Sequence, residues 1–344
     1  MATRAVGDGD SRRVSSSLQA GLAAALLIAG LALMLVVISS NAVLTEAWSA
    51  GAMIGVYAGL ALGLAGVMML SSVVVKLLER PRAKDDKDWL WRQVVSLMPA
   101  LLLALVVIVA VEGLVRGFAV PFAQIPPPSA VLAKLIEARA VLLRDTQITL
   151  LETMVGFLVG GTLGFFTAIA TQRFPFLERG LMPYATLFSS IPIVALAPVV
   201  IKTMGVDWES KAVVVGITVF FPILLNTARG LAEVNPLQLD LMRSYAAAPS
   251  RVFADLRIPN ALPFIFNGIK TSAVLGLIAA IVAEFFGANG AGLGFRIVVE
   301  IGTANLDTVW AAINIASLVG ITVYNGLALL ERRVTGWHSS FRSE

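Results

Sequence analysis

Residues 18–38 read LQAGLAAALLIAGLALMLVVI and hold no charged side chain. A helix needs about 20 such residues to cross roughly 30 Å of hydrocarbon, and it satisfies its own backbone hydrogen bonds on the way. The segment is built for lipid. Working outward from it, blocks of the same character run over residues 50–75, 94–111, 153–171, 181–201, 212–228, 261–283 and 309–330, interrupted only by Lys270. The expected fold is all-α, a polytopic transmembrane bundle of about eight crossings. Short alternating strands, which a membrane barrel requires, are absent from the pattern. The whole chain agrees: 58% of its 344 residues are hydrophobic and 14% charged, with a mean hydropathy of +0.85.

The formal charge of +4 is distributed as membrane orientation demands rather than as a nucleic-acid patch. With the N-terminus in the cytoplasm, that side receives Arg4, Arg12, Arg13, Lys76, Arg80, Arg82, Lys84, Lys87, Arg92, Arg173, Arg179, Arg229, Arg243, Arg251, Arg257, Arg332, Arg333 and Arg342. The other side receives Arg116, Lys134, Arg139, Arg144, Lys202, Lys211 and Arg296. Eighteen against seven places both termini in the cytoplasm, by the expectation that positive charge stays inside. Nucleic acid is not expected as a partner; membrane lipid is.

With no cysteine and a single histidine, His338, the chain offers no disulfide, no thiolate chemistry and little for a metal. Ser11-Arg12-Arg13 before an apolar run can be read as a twin-arginine signal. The run is longer than the roughly 7 to 15 apolar residues of a signal peptide, so an uncleaved first span is the simpler reading.

The expected organisation is a cytoplasmic tail (1–17), an added transmembrane pair (18–75), a charged cytoplasmic linker (76–93), a transmembrane core (94–333) and a second cytoplasmic tail (334–344). Gly55, Gly59 and Gly63 recur every four residues in the second span, as do Gly156, Gly160 and Gly164 in the fourth. That spacing lets helix backbones approach closely in lipid; a glycine-lined substrate path is the alternative. After the third span the prolines of Gln124-Ile125-Pro126-Pro127-Pro128-Ser129 favour an extended segment. Ser129 is a candidate cap for an amphipathic helix over 130–143.

Residues 232–260, between the sixth and seventh spans, carry the most information. Asn235-Pro236 reads as an N-cap with proline at the first helical position, and Gln238 stands where a capping-box partner belongs. The helix continues to Ala248, Pro249 interrupts it, and Ser250 can cap a second helix that Pro259 and Pro263 end. The loop is basic, yet its apolar residues exceed what an idle loop exposes, which points to a docking partner; a merely solvated connector is the bland alternative.

Arg243 to Pro263, reading RSYAAAPSRVFADLRIPNALP, resembles the EAA loop of binding-protein-dependent ABC importer permeases. Ile125 to Leu132, Ser189-Ser190-Ile191-Pro192 with Ala197-Pro198, and Phe220 to Thr227 resemble the nitrate, sulfonate and taurine branch of that family, as do Ala283 to Ala288 and Gly292-Leu293-Gly294-Phe295. Together they cover Ile125 to Arg333 in order. Two departures stand out: the family's Glu-Ala-Ala falls on Asp240, Leu241 and Met242, and its usual glycine falls on Ala246. The first two spans are extra to the common core of this branch.

The resemblance implies a type I importer: two permease copies, commonly a homodimer, two ABC ATPase subunits and an external solute-binding protein, in the inner membrane of a bacterium. On it, Asp240, Leu241, Met242, Arg243, Tyr245, Ala246, Ser250, Phe253, Pro259 and Pro263 form the ATPase-coupling element. ATP and magnesium belong to the partner ATPase, and no cofactor is expected in this chain. The residues agree, because none of the seven lysines follows a glycine as a phosphate loop requires. The resemblance also points to a cargo among thiamine pyrimidine precursors, riboflavin and related heterocycles, with nitrate, taurine, sulfonates and aromatic carboxylates open.

Polar residues at membrane depth are candidates for the translocation path: Ser189, Ser190, Pro192, Asn226 and Glu284, against a role in helix-to-helix hydrogen bonding. Lys270 lies fourteen residues before Glu284, about 21 Å along a helix, which argues against an ion pair; near the inner end it can snorkel. Gly287, Gly290, Gly292 and Gly294 form a turn, either a connector or a contact for the binding protein. A membrane enzyme would need a catalytic cluster that the chain lacks; a structural or sensory membrane protein would need no docking helices.

Overall fold

The computed structural model describes residues 7–40, 48–78, 89–287 and 289–337, with side chains described from residue 19 onward except 76–78 and 89–96. The linker over 79–88, His338 and the end of the C-terminal tail lie outside the described residues. Among the described residues the structure is all-helical. Among those residues seven helices are long and apolar enough to cross a membrane, or eight if one bent helix pair is counted as a span.

The chain divides into two compact units, Met1–Ala133 and Lys134–Glu344. In the first, α1 (Gly7–Ser40), α2 (Ala50–Leu78) and α3 (Trp89–Gly117) pack around Leu27, Met34, Val67, Val106 and Ala110. Helices α1 and α2 touch backbone to backbone: a methyl group on Gly30 would strike the Gly63 nitrogen and the Gly59 carbonyl. The glycine spacing thus serves close packing here. After α3, Ser129 does not cap a helix. It sits inside α4 (Pro128–Glu137), and its hydroxyl donates to Glu112 at 2.6 Å while Arg116 donates to it at 3.0 Å. The amphipathic helix ends at Glu137, and residues 139–143 begin the next, much longer one.

That helix, α5 (Arg139–Arg173), pairs closely with α8 (Trp208–Ala232), which packs in turn on α11 (Ile258–Phe286). A methyl group on Gly160 would overlap the Gly216 backbone, so the two glycines set the α5–α8 spacing. Val215, Val219, Ile223, Ala279 and Ala280 fill the seam between α8 and α11. Helices α12 (Leu293–Gly302) and α13 (Leu306–Thr335) complete the unit.

The apolar block 181–201 is not one straight crossing. It forms α6 (Pro175–Ser189) and α7 (Ile193–Met204), bent by 98°. Pro192 cannot donate to the preceding turn and pushes Ile191 out of helical geometry, so the helix restarts with Pro192 extended at ψ 127°. Pro259 and Pro263 do not end a helix. The chain runs from α10 (Pro249–Arg251) through a π-turn at Val252–Arg257 directly into α11. Pro259 and Pro263 are both carried inside this continuous helical run, each removing one main-chain donor from it.

Candidate functional site

Two clusters occupy opposite ends of the second unit. At one end lies the 232–260 loop. Asn235 caps α9 (Pro236–Ser244) by accepting the Leu237 N–H at 2.9 Å. Gln238 contributes its main-chain N–H to the Asn235 carbonyl. No side chain caps α10, so Ser250 is exposed without that role. Asp240, Leu241, Arg243, Tyr245 and Ala246 are also exposed, and Met242 is half-buried. Leu237, Leu241 and Tyr245 stand 76%, 56% and 77% open. Ala246, where the resemblance expects glycine, has φ +50°, the left-handed geometry that glycine adopts without strain. Phe253 turns inward against Leu231, Ala261 and Ile265, while Pro259 and Pro263 are half-buried in the helix. Arg257 donates to Gln172 at 2.8 Å and Asn260 to the Glu233 carbonyl, fastening the loop to the ends of α5 and α8.

At the opposite end, α5, α8, α11 and α12 enclose Asp145, Thr149, Glu152, Lys211 and Glu284, each 2% exposed or less. Asp145 accepts the Arg296 Nε–H at 2.8 Å and the Gly292 N–H at 3.1 Å. Glu284 accepts the Thr149 hydroxyl at 2.7 Å together with the N–H groups of Gly294 and Phe295. Gly292 has φ +124°, and a methyl group there would meet the Glu284 carboxyl at 2.5 Å. The glycines therefore form a turn wrapped on a carboxylate, which a lone sequence motif does not reveal. Burial works against the Arg296 charge, but the Asp145 hydrogen bond and charge, and then Glu300, outweigh it and hold its pKa above the ordinary value.

Between these ends, Ser189 and Ser190 are exposed at the α6–α7 break and return their hydroxyls to the Thr186 carbonyl. A cavity of about 290 Å³ opens there, lined by Phe188, Ser189, Ile191, Thr218 and Phe221. Pro192 is exposed beside it. Asn226 donates to the Pro222 carbonyl at 2.8 Å and accepts from Asn267 at 3.3 Å. Asn267 and Thr271 are exposed one turn apart on α11, a polar strip that sequence reasoning passed over inside an apolar block. Glu284 is separated from this strip by burial in its turn. Lys270 does not reach for solvent; it forms a shielded ion pair with Glu331 on α13, 61 residues away. Among the described residues no group of three His, Cys, Asp or Glu side chains could hold a metal.

This architecture is that of a membrane permease. Residues 160–336 match the family described as binding-protein-dependent transport system inner membrane component, and the chain belongs to that family, as the permease subunit of an ABC importer. The riboflavin transport system permease protein RibX of Chloroflexus aurantiacus is 27% identical over 71% of this chain and 90% of its own length. The formylaminopyrimidine transport permease protein ThiX of Halalkalibacterium halodurans is 28% identical over 62% of this chain and 85% of its own. The taurine transport system permease protein TauC of Escherichia coli is 26% identical over 62% and 80%. A crystal structure of an amino acid ABC transporter shares the fold with a TM-score of 0.52 and 15% identity, over 58% of this chain and 97% of that one.

Proposed function

We propose that the 236–257 loop is the coupling element through which a separate ABC ATPase drives transport, and that two permease copies and an external solute-binding protein complete the importer. The observation that carries this reading is the exposure of Leu237, Leu241 and Tyr245 on a charged, capped and anchored element. Apolar side chains held open on a capped and anchored loop fit a protein partner better than water. ATP binding would close the ATPases, move the loop, and rock the helix bundles between inward-facing and outward-facing states. The loop and both termini are then cytoplasmic, and the pair α1–α2 is extra to a core over residues 94–333. Ser189, Ser190, Pro192, Asn226 and Asn267 border the path.

For the cargo, the same reading favours an uncharged hydrogen-bonding heterocycle, such as a pyrimidine precursor or a flavin, over a sulfonate or another anion. Its support is local: the lysines inside the spans are both engaged, Lys211 with main-chain carbonyls and Lys270 with Glu331. The strip formed by half-buried Asn226 with exposed Asn267 and Thr271 is neutral. Relatives named for riboflavin and formylaminopyrimidine stand beside relatives named for taurine.

The test of the coupling role is co-purification of the ATPase from detergent-solubilised membranes, comparing wild type with Tyr245→Arg and Leu241→Asp. Loss of the ATPase from folded variants is the expected result. Retention of full ATPase activity and complex by both variants would overturn the docking assignment. For the cargo, uptake by the complete system should be competed by heterocycles and not by taurine; the reverse order removes that choice.

A further inference from the structure

Asp145, Thr149, Lys211 and Glu284, buried at the end of the second unit away from the loop, each have partners. Asp145 holds Arg296 and the Gly292 N–H, Thr149 donates to Glu284, and Glu284 also accepts from Gly294 and Phe295. Lys211 donates to the carbonyls of Val206 and, at 3.1 Å, Asp207. Glu152 differs from all of them. It is 2% exposed, and its Oε2 accepts no hydrogen bond. A buried acceptor left empty is costly, so native structures nearly always fill one.

Glu152 lies on the wall of a cavity of about 340 Å³, together with Gln147, Asp207, Trp208, Lys211 and Asn289. One water, with its share of roughly 30 Å³, would leave most of that space empty. The lining sets what fits. Glu152 brings an acceptor. Lys211 has three N–H donors and uses two on main-chain carbonyls, so one remains. Asn289 donates to the Asp207 carboxyl, which leaves its amide oxygen as a further acceptor. Trp208 is exposed and presents an indole on which a flat ring can stack. With two carboxyl groups against one ammonium, the wall does not suit an anion. Pockets that take small molecules start at about 300 Å³, so this one suits a single ring better than a fused three-ring flavin.

We propose that this cavity is a binding site for a single-ring amino-heterocycle: Glu152 accepts the exocyclic N–H, Lys211 donates to the neighbouring ring nitrogen, and the ring face lies on Trp208. The site rests on the reading of the cargo as a neutral heterocycle and narrows that cargo to an amino-substituted ring. Glu152 is the residue that selects. A ring without the amino group leaves its oxygen empty, and a site built around a buried hydrogen-bonding group rejects such an analogue.

Ligand-observed NMR on the full chain in phosphatidylcholine nanodiscs tests this with two probes of matched shape, 4-amino-2-methylpyrimidine and 2,4-dimethylpyrimidine. Wild type should bind the amino probe about tenfold more tightly or better, the worth of one buried hydrogen bond. Glu152→Met should lose that preference. Should Glu152→Met not fold, Trp208→Leu, at an exposed position, should weaken both probes alike, and unchanged binding there would overturn the site. Equal affinity of wild type for the two probes, or a preference that survives Glu152→Met, overturns the site even if the complete importer takes up a heterocycle. Uptake competed by taurine alone, with the Glu152-dependent preference intact in the purified chain, removes the cargo reading and leaves the site standing. Exchanging phosphatidylcholine for phosphatidylethanolamine should leave binding of the amino probe unchanged; its loss there would give the cavity to a lipid ammonium and overturn the heterocycle.

Discussion

Asp145 and Arg296 lie 151 residues apart and meet with side chains only 1% and 20% exposed. Asp240 and Arg243 lie three apart and meet in the open, at 66% and 76%. Both are carboxylate–guanidinium pairs, at opposite ends of one helical unit, yet they do different physical work. The buried pair closes a tertiary contact and feeds a main-chain donor of the glycine turn. The open pair contributes about 0–1 kcal/mol, since water screens it and both side chains lose freedom to form it. Charge at the first end is part of the architecture; at the loop end it lies in water beside the exposed Leu237, Leu241 and Tyr245.

Breaking the buried pair should cost most. Asp145→Ala leaves the Arg296 Nε–H and the Gly292 N–H without their acceptor, with Glu300 still beside the guanidinium, and the expected loss is about 3 kcal/mol, read as a lower unfolding temperature in detergent. The double variant Asp145→Leu with Arg296→Met should recover part of it. Next in size is Gly160→Val, which forces α5 from α8 at a cost of about 1–3 kcal/mol in the same assay. At the loop end, Ala246→Gly should stabilise by about 1 kcal/mol, because it relieves a left-handed alanine. Smallest is Asp240→Ala, with a shift within about 0.5 kcal/mol. A large destabilisation by Asp240→Ala would erase the contrast between the two ends.

The spans were legible because lipid imposes one rule on every crossing: enough apolar residues, with few charges among them. Leu18 to Ile38 needed no tertiary information. Asn235 was legible as a cap because capping is a contact over two residues. Asp145 with Arg296 was not, since nothing local distinguishes a charge that will find a partner on a distant helix from one that will meet water. Lys270 misled for the same reason, its partner being Glu331. The break at Ser190 to Pro192 was hidden because composition stays apolar across it and only the chain direction changes. Pro259 and Pro263 misled in the opposite sense. Proline forbids a hydrogen bond but does not forbid a helix that has just changed its winding.

That change of winding is confined to the six residues Val252–Arg257, where the Ile258 N–H reaches back five places to the Phe253 carbonyl. A π-turn holds one residue more than the α-turn it replaces, so it acts as a phase-setter for the 29 residues of α11 that follow. Excising one residue there would close the π-turn to an α-turn and leave α11 in phase, whereas excising a second would rotate all of α11 by about 100° about its axis. Ala279, Ala280 and Ala283, now against neighbouring helices, would swing away from them, and Glu284 would leave its turn at the far end. The angular register of the distant carboxyl cluster is thus set beside the loop, on the same continuous stretch of backbone.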